Sequence, residues 1–215
     1  MTLANKLTLA RACLGLLTFG CLWINSPRYF PLALCLYVTA TITDWVDGWI
    51  ARHTHSVSPF GAMADPVADK VLVIGALIAF LRIPGLHIPH WAVFLIVVRE
   101  LVIGGLRTLA GAHGKILSAE IWGKWKMGIQ SAGNLIILAL LVLRDTWRID
   151  LPAWTNDLPK HLVLACLVVT WTSAYRYLTQ NRKLLQKSWD PTERYREEVP
   201  RPKADGKRPT DRSDG

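Results

Sequence analysis

The sequence reads Asp44-Trp45-Val46-Asp47-Gly48-Trp49-Ile50-Ala51-Arg52 within an apolar region and continues, after eight intervening residues, with Gly61, Asp65 and Asp69. Carboxylates in apolar surroundings are costly unless they are paired or bind a cation. Four of them in one short stretch therefore predict charged groups that face the interior of a helical bundle. A bound cation is the first hypothesis for what holds them there.

Six apolar segments surround or contain this stretch, and each approaches the roughly 20 residues that a transmembrane helix needs. They are 7–24, 30–50, 60–81, 91–110, 126–143 and 162–178. The sequence becomes very hydrophilic after Ser188. We therefore predict an all-α integral membrane protein with six transmembrane helices in one membrane domain, residues 1–188. Residues 189–215 are predicted to be a disordered cytoplasmic tail, because they have too little apolar content to offset the entropy of ordering.

The net charge of +9 comes from basic residues dispersed around the ends of the apolar segments. Nucleic-acid binding would favour a continuous basic strip, so anionic lipid headgroups explain the charge better. Most of the basic residues fall on one side of the predicted helices, which places both termini and the aspartates in the cytoplasm. A bacterial inner membrane is the expected location. The four cysteines all lie in apolar segments and are read as small buried residues.

Helical periodicity gathers the aspartates on two faces. Asp44, Asp47, Gly48 and Ala51 are spaced i, i+3, i+4 and i+7, and Gly61, Asp65 and Asp69 are spaced i, i+4 and i+8. These faces would meet across a short turn. Hard cations such as Mg²⁺ prefer oxygen ligands and often share them with substrate phosphates, so four carboxylates could hold a pair of ions and leave room for a pyrophosphate.

The small residues and Arg52 complete this prediction. Gly48, Ala51 and Gly61 lack bulk where a substrate would approach, and Arg52 can neutralise phosphate charge. The structural alternatives are close helix packing at the small residues and simple pairing of the acids with Arg52 and Lys70.

The spacing D-x-x-D-G-x-x-A-R, eight residues, G-x-x-x-D-x-x-x-D resembles the signature of the CDP-alcohol phosphatidyltransferases at every fixed position. The resemblance implies a six-helix membrane fold, usually dimeric, in which an alcohol displaces CMP from a CDP-linked lipid. It also implies roles for the residues. Asp44, Asp47 and Asp65 would be metal ligands, and Asp69 would be both a ligand and the base. Asp44, Gly48, Ala51, Arg52 and Gly61 would lie near the cytidine diphosphate, and the metal would be two ions of Mg²⁺ or Mn²⁺.

Further segments are similar to the branch of this family that forms phosphatidylglycerophosphate. They are Asn5-Lys-Leu-Thr-Leu-Ala-Arg11, Asp65-Pro-Val-Ala-Asp-Lys70, Arg99-Glu100 with Arg107, and Gly123-Lys-Trp-Lys126. The sequence departs from that branch at Met127, where Thr is usual, and lacks Pro before Asn5. The resemblance implies CDP-diacylglycerol as donor, glycerol 3-phosphate as acceptor and a homodimer.

A pocket for the acceptor's phosphate is predicted from Arg99, Arg107, Lys124 and Lys126, because the arginines are two helical turns apart and the lysines approach the same interface. The alternative is that Arg99 pairs with Glu100 or a motif aspartate and that the lysines extend to the membrane surface. Gln130 and Asn134 are predicted to hydrogen-bond between helices.

Two other functions remain open. A related transferase would use inositol phosphate, serine or phosphatidylglycerol as acceptor. A cation-coupled transporter would instead spread its acids through the bundle or repeat them in two halves.

Overall fold

A computed structural model describes residues 3–54, 59–112, 121–180 and 182, with side chains over 7–44, 67–108, 126–180 and 182. These residues form six α-helices: α1 (Leu3–Trp23), α2 (Phe30–Thr54), α3 (Pro59–Phe80), α4 (His90–Ala112), α5 (Ile121–Leu141) and α6 (Leu158–Gln180). A π-helical turn, Val142–Thr146, extends α5, and a 3₁₀ turn, Ala153–Asn156, precedes α6. The described residues contain no strand, which confirms the all-α prediction.

Each of the first two helices buries one narrow stripe in which intervals of three and four residues alternate. The buried positions are Thr8, Arg11, Gly15, Thr18 and Leu22 on α1, and Phe30, Ala33, Tyr37 and Ala40 on α2. A repeat of about 3.5 residues is the spacing with which helices pack lengthwise along a shared seam. In the sequence the same spacing continues through Asp44, Asp47 and Ala51, which belong to the signature.

Helix α1 packs against α2 and α3, and α5 contacts both α2 and α3. The approach of α1 to α3 depends on Gly15, since a Cβ atom there would lie 3.1 Å from the backbone of Leu72. Asn134 Nδ2 on α5 donates to the carbonyl of Val73 on α3 at 3.0 Å. This bond confirms the predicted role of Asn134 between helices.

The stripes are apolar at one end of the bundle and charged at the other. Large apolar side chains are buried where α1 joins α2, α3 joins α4 and α5 joins α6, as at Leu22, Phe30, Phe80, Leu86 and Leu141. The buried charges Arg11, Arg99, Glu100 and Lys126 lie toward the opposite helix ends. In two antiparallel helices joined by a short connection, the two connected ends lie side by side, and so do the two free ends. The charged groups of several helices therefore collect toward the same end of the bundle.

The apolar end has its own polar anchor. Arg144 pairs with Asp145, with Nε 2.6 Å from Oδ1, and it donates to the carbonyl of Gly85 at 3.3 Å. Gly85 has φ +82, and a Cβ there would lie 3.3 Å from Arg144 Nη1. The Arg144–Asp145 pair thus ties the end of α5 to the α3–α4 connection.

Two segments of the described chain are long and apolar enough to cross a membrane, Lys126–Thr146 and Leu158–Gln180. Shorter apolar helical stretches cover Leu7–Trp23 and Phe30–Asp44. Crossing by all six helices therefore stays a prediction.

The chain divides into two compact units, Met1–Ala174 and Tyr175–Gly215. The described part of the second unit is the end of α6, to Gln180, with Arg182. The predicted domain boundary at 188 and the predicted disordered tail, 189–215, lie outside the described residues.

Candidate active site

A guanidinium from α1 joins the first and last aspartates of the signature. Arg11 Nη1 lies 2.8 Å from Asp44 Oδ1 on α2 and 2.9 Å from Asp69 Oδ1 on α3. Arg11 is only 1% exposed, whereas the side chains of Asp44 and Asp69 are 51% and 18% exposed. Three helices therefore meet at one charged cluster, the Arg11 cluster, which comprises Arg11, Asp44 and Asp69.

Elementary electrostatics explains why this cluster forms. A buried arginine is tolerated when carboxylates neutralise it and accept its hydrogen bonds. Asp44 Oδ1 and Asp69 Oδ1 both contact Arg11 Nη1, so these two oxygens can be no farther apart than the sum of their distances to that nitrogen. The fold thus brings together two carboxylates that are 25 positions apart in the sequence.

The donor set fits a hard divalent cation. The oxygens of Asp44 and Asp69 already surround a positive charge, that of Arg11, and oxygen is the ligand type that Mg²⁺ and Mn²⁺ prefer. Among the side chains that the structure describes, no group of three His, Cys, Asp or Glu forms a metal site. The other two predicted ligands, Asp47 and Asp65, lie outside those side chains.

The remaining signature positions can be placed by their helices alone. Asp47, Gly48, Ala51 and Arg52 fall in the last part of α2, and Gly61 and Asp65 fall in the first part of α3. Their side chains lie outside the described residues, as does that of Lys124 on α5. Their predicted roles stay predictions.

A second charged group, the Glu100 cluster, joins α4, α5 and α6 and comprises Arg99, Glu100, Lys126 and Ser173. Glu100 Oε1 accepts from Arg99 Nη1 at 3.1 Å and also contacts Lys126 Nζ. Arg99 Nη2 lies 3.2 Å from Ser173 Oγ. Arg99, Glu100 and Lys126 are all buried, with exposures of 6%, 8% and 5%. The pairing of Arg99 with Glu100 confirms one of the two arrangements considered for that arginine.

Lys70 connects the two clusters. It follows Asp69 directly in α3, and its Nζ lies 3.4 Å from the backbone carbonyl of Glu100. Its ammonium sits against Gly104, where a Cβ atom would come within 2.5 Å of Nζ. Gly104 therefore leaves the space through which Lys70 reaches α4.

Of the predicted phosphate-binding residues, the structure brings Arg99 and Lys126 together on Glu100. Arg107 is exposed, two turns beyond Arg99 on α4. Lys70, Arg99, Arg107 and Lys126 together outnumber the carboxylate of Glu100. This excess of positive charge on and beside α4 suits a ligand that carries a phosphate.

Sequence patterns assign no site role to Arg11, Lys70 or Glu100. Arg11 contributes to the predicted orientation and to an N-terminal motif, and its spacing from Thr8 and Gly15 on one helical face is the signal that indicates its burial. Glu100 is predicted only as a pairing partner of Arg99. The structure makes it the acceptor shared by two cations.

An all-helical bundle with an interior carboxylate cluster next to a cationic one is suited to phosphorylated ligands, and sequence comparison identifies the family. Residues 1–172 match the family model described as CDP-alcohol phosphatidyltransferase. The chain therefore belongs to the CDP-alcohol phosphatidyltransferase family.

Individual relatives agree with this assignment. A Bacillus subtilis (strain 168) protein named CDP-diacylglycerol–glycerol-3-phosphate 3-phosphatidyltransferase is 31% identical over 201 residues, covering 86% of this chain and 98% of that protein. A Mycoplasma pneumoniae protein of the same name is 44% identical over 91 residues, covering 42% of this chain and 39% of its own length. A protein of Oryza sativa subsp. japonica named cardiolipin synthase (CMP-forming) is 32% identical over 151 residues, covering 65% and 46%.

Proposed function

We propose that this protein transfers the phosphatidyl group of CDP-diacylglycerol to glycerol 3-phosphate, which yields phosphatidylglycerophosphate and CMP. The family and the name of the Bacillus subtilis relative, which aligns over nearly its whole length, support this reaction. The structural observation that carries the proposal is the pair Asp69-Lys70. Asp69 belongs to the Arg11 cluster, while Lys70 reaches the carbonyl of Glu100 in the neighbouring cationic cluster.

In the proposed site, Asp44, Asp47, Asp65 and Asp69 hold divalent cations, Mg²⁺ or Mn²⁺, and two ions suit four carboxylates. When bound, these ions neutralise the diphosphate of the donor and the charge that develops on departing CMP. Gly48, Ala51, Arg52 and Gly61 are assigned to the cytidine diphosphate, together with Asp44. The small residues leave room for the donor, and Arg52 adds positive charge beside its phosphates.

Asp69 is the proposed base. It accepts the proton of the acceptor hydroxyl, whose oxygen forms a bond to the lipid-bearing phosphorus while the bond from that phosphorus to the CMP oxygen breaks. The electron pair of the broken bond leaves with CMP. Arg11 positions Asp69 by fixing Oδ1 at 2.9 Å, which orients the carboxylate between α1 and α3.

The acceptor's phosphate is assigned to Arg99, Arg107, Lys124 and Lys126, and we add Lys70 to this set. Lys70 follows the proposed base directly in α3, and its Nζ lies 3.4 Å from the carbonyl of Glu100, so it adds a positive charge that links Asp69's helix to the cationic groups. Glu100 holds Arg99 and Lys126 in place and offsets part of their positive charge.

An integral membrane location and a homodimer belong to the same proposal. Threonines along the helices return their hydroxyl hydrogen bonds to the carbonyl four residues earlier, as Thr39 does to Cys35 and Thr172 to Val168. This arrangement removes the need for water at exposed positions. Large apolar side chains such as Phe94, Leu101 and Val168 are 64–65% exposed, which suits lipid better than water. Both termini and the active site are assigned to the cytoplasmic side of a bacterial inner membrane.

Release of CMP tests the reaction directly. Purified protein is given CDP-diacylglycerol and Mg²⁺ with glycerol 3-phosphate, inositol phosphate, serine or phosphatidylglycerol in separate reactions. We expect CMP only with glycerol 3-phosphate. Release with phosphatidylglycerol instead would support the alternative that the name of the Oryza sativa relative raises, cardiolipin synthesis. Cation transport without CMP release would support the transporter alternative.

Arg11→Gln tests the cation site without relying on activity. Removing the guanidinium leaves Asp44 and Asp69 without a charge that they share, so the metal-free protein should unfold at a lower temperature. A divalent cation supplies the missing charge and no longer competes with Arg11. We expect the Tm increase on adding Mg²⁺ to exceed that of the wild-type protein by about 3 °C or more. The measurement is thermal unfolding in detergent, with EDTA or increasing Mg²⁺.

Arg144→Gln is the matched control, because it removes an arginine from the Arg144–Asp145 pair at the other end of the bundle. Its Mg²⁺-dependent increase should equal that of the wild-type protein. An equal increase in Arg11→Gln as well would contradict the placement of the cation at Asp44 and Asp69.

A further inference from the structure

Three buried polar atoms have no hydrogen-bond partner within the described part of the chain, and they come from neighbouring helices. They are Arg99 Nε on α4, Gln130 Nε2 on α5 and Thr170 Oγ1 on α6. Their residues are 6%, 4% and 0% exposed. A buried donor left without a partner typically costs about 1–3 kcal/mol, so a group of them needs an explanation.

Contacts between the helices place the residues that carry these atoms within about one helical turn of a common level. Arg99 touches Ser173 of α6, and its neighbour Glu100 touches Lys126 of α5. Gln130 is one helical turn from Lys126 along α5, and Thr170 is about one turn before Ser173 along α6. Both steps lead away from the charged helix ends and toward the apolar end. Helices α5 and α6 also meet directly, since Cys166 Sγ lies 4.0 Å from the carbonyl of Ile129.

We infer that Gln130 and Thr170, with Arg99 Nε, form the floor of the acceptor site and bind the acceptor's non-reacting hydroxyl. This inference rests on the proposed function. The phosphate belongs to the cationic groups already assigned to it, Lys70, Arg99, Arg107, Lys124 and Lys126, because positive charges bind a phosphate most strongly. Neutral amide and hydroxyl groups match a hydroxyl, which both donates and accepts a hydrogen bond. Glycerol 3-phosphate carries such a hydroxyl between its phosphate and its reacting end.

Gln130 and Asn134 are both predicted to hydrogen-bond between helices. Asn134 does so through Nδ2 to the carbonyl of Val73, whereas Gln130 Nε2 has no partner among the described residues. Two buried amides on one face of α5 therefore have different surroundings. Replacing an unsatisfied buried polar group by an apolar side chain leaves the stability of the protein unchanged or raises it. Replacing a hydrogen-bonded one lowers the stability.

The variants Gln130→Leu and Thr170→Val exploit this difference. Each replaces the polar group by an apolar one of similar size, so the Tm should stay unchanged or rise. The KM for glycerol 3-phosphate should increase about five-fold in each variant, the effect of one lost hydrogen bond. The KM for CDP-diacylglycerol should not change. Asn134→Leu is the control, and it should lower the Tm by at least about 2 °C without raising the acceptor KM.

A second acceptor identifies the group that is bound. 3-Hydroxypropyl phosphate keeps the phosphate and the reacting hydroxyl but lacks the middle hydroxyl. With this acceptor, Gln130→Leu, Thr170→Val and the wild-type protein should have the same KM. An unchanged KM for glycerol 3-phosphate in both variants, or an equal loss with the two acceptors, overturns the inference. If the wild-type protein itself does not use glycerol 3-phosphate, the proposed function fails before the variants are compared.

Discussion

Asp69→Asn is expected to reduce the turnover of CDP-diacylglycerol by about 10³-fold or more. The substitution removes the group that takes the proton of the acceptor hydroxyl, and general-base catalysis alone typically contributes about 10²–10⁴-fold. It also removes a charged cation ligand. The asparagine is nearly isosteric with aspartate and can still accept a hydrogen bond from Arg11 Nη1, so the three helices should remain joined. CMP release at saturating donor and acceptor measures the effect.

Asp44→Asn separates the two roles assigned to the carboxylates, cation binding and acceptance of the proton. Asp44 shares Arg11 with Asp69 but is assigned only to cation binding and to the donor, so its loss should be relieved in part by raising Mn²⁺. The activity lost in Asp69→Asn should not be restored by raising Mn²⁺. Asp145→Asn is the matched control, because Asp145 also pairs with an arginine but lies at the apolar end of the bundle. Wild-type rates in both Asp69→Asn and Asp44→Asn would refute the assigned mechanism.

The helices were predictable because they depend on local patterns. Apolar segments such as 30–50 and 162–178 coincide with α2 and α6, since length and periodicity determine where a helix forms and which side it buries. The signature aspartates were predictable as a group for the same reason. Their intervals of three and four place them on shared faces, and a carboxylate in an apolar segment needs a partner.

The partners themselves were not predictable from the sequence. Arg11 lies 58 positions before Asp69, and no local spacing relates a residue of α1 to one of α3. Likewise, Glu100 and Lys126 meet because α4 and α5 are packed together, which depends on how all the stripes are buried at once. Gln130 and Asn134 share a face and a chemical type, yet only the packing of α3 against α5 gives Asn134 its carbonyl partner.

Glu100→Gln is expected to lower the stability of the bundle by about 3–5 kcal/mol, the usual cost of removing one member of a buried ion pair. Arg99 and Lys126 would both remain buried without the carboxylate that they share. For a chain of this size the Tm should fall by roughly 10 °C. Thermal unfolding in detergent is the measurement, and Asp145→Asn, which breaks a more exposed pair, should cost about 1 kcal/mol or less.

Lys126→Met and the double variant Glu100→Gln/Lys126→Met test whether Glu100→Gln loses stability because Arg99 and Lys126 share the carboxylate of Glu100. Lys126→Met alone should cost less than Glu100→Gln, because Glu100 keeps Arg99 as its partner. The double variant should recover much of the stability lost in Glu100→Gln, since only Arg99 is then left unpaired. If the losses simply add, Lys126 and Glu100 do not interact in the folded protein, and the basic residues assigned to the acceptor's phosphate would be held in place by something other than Glu100.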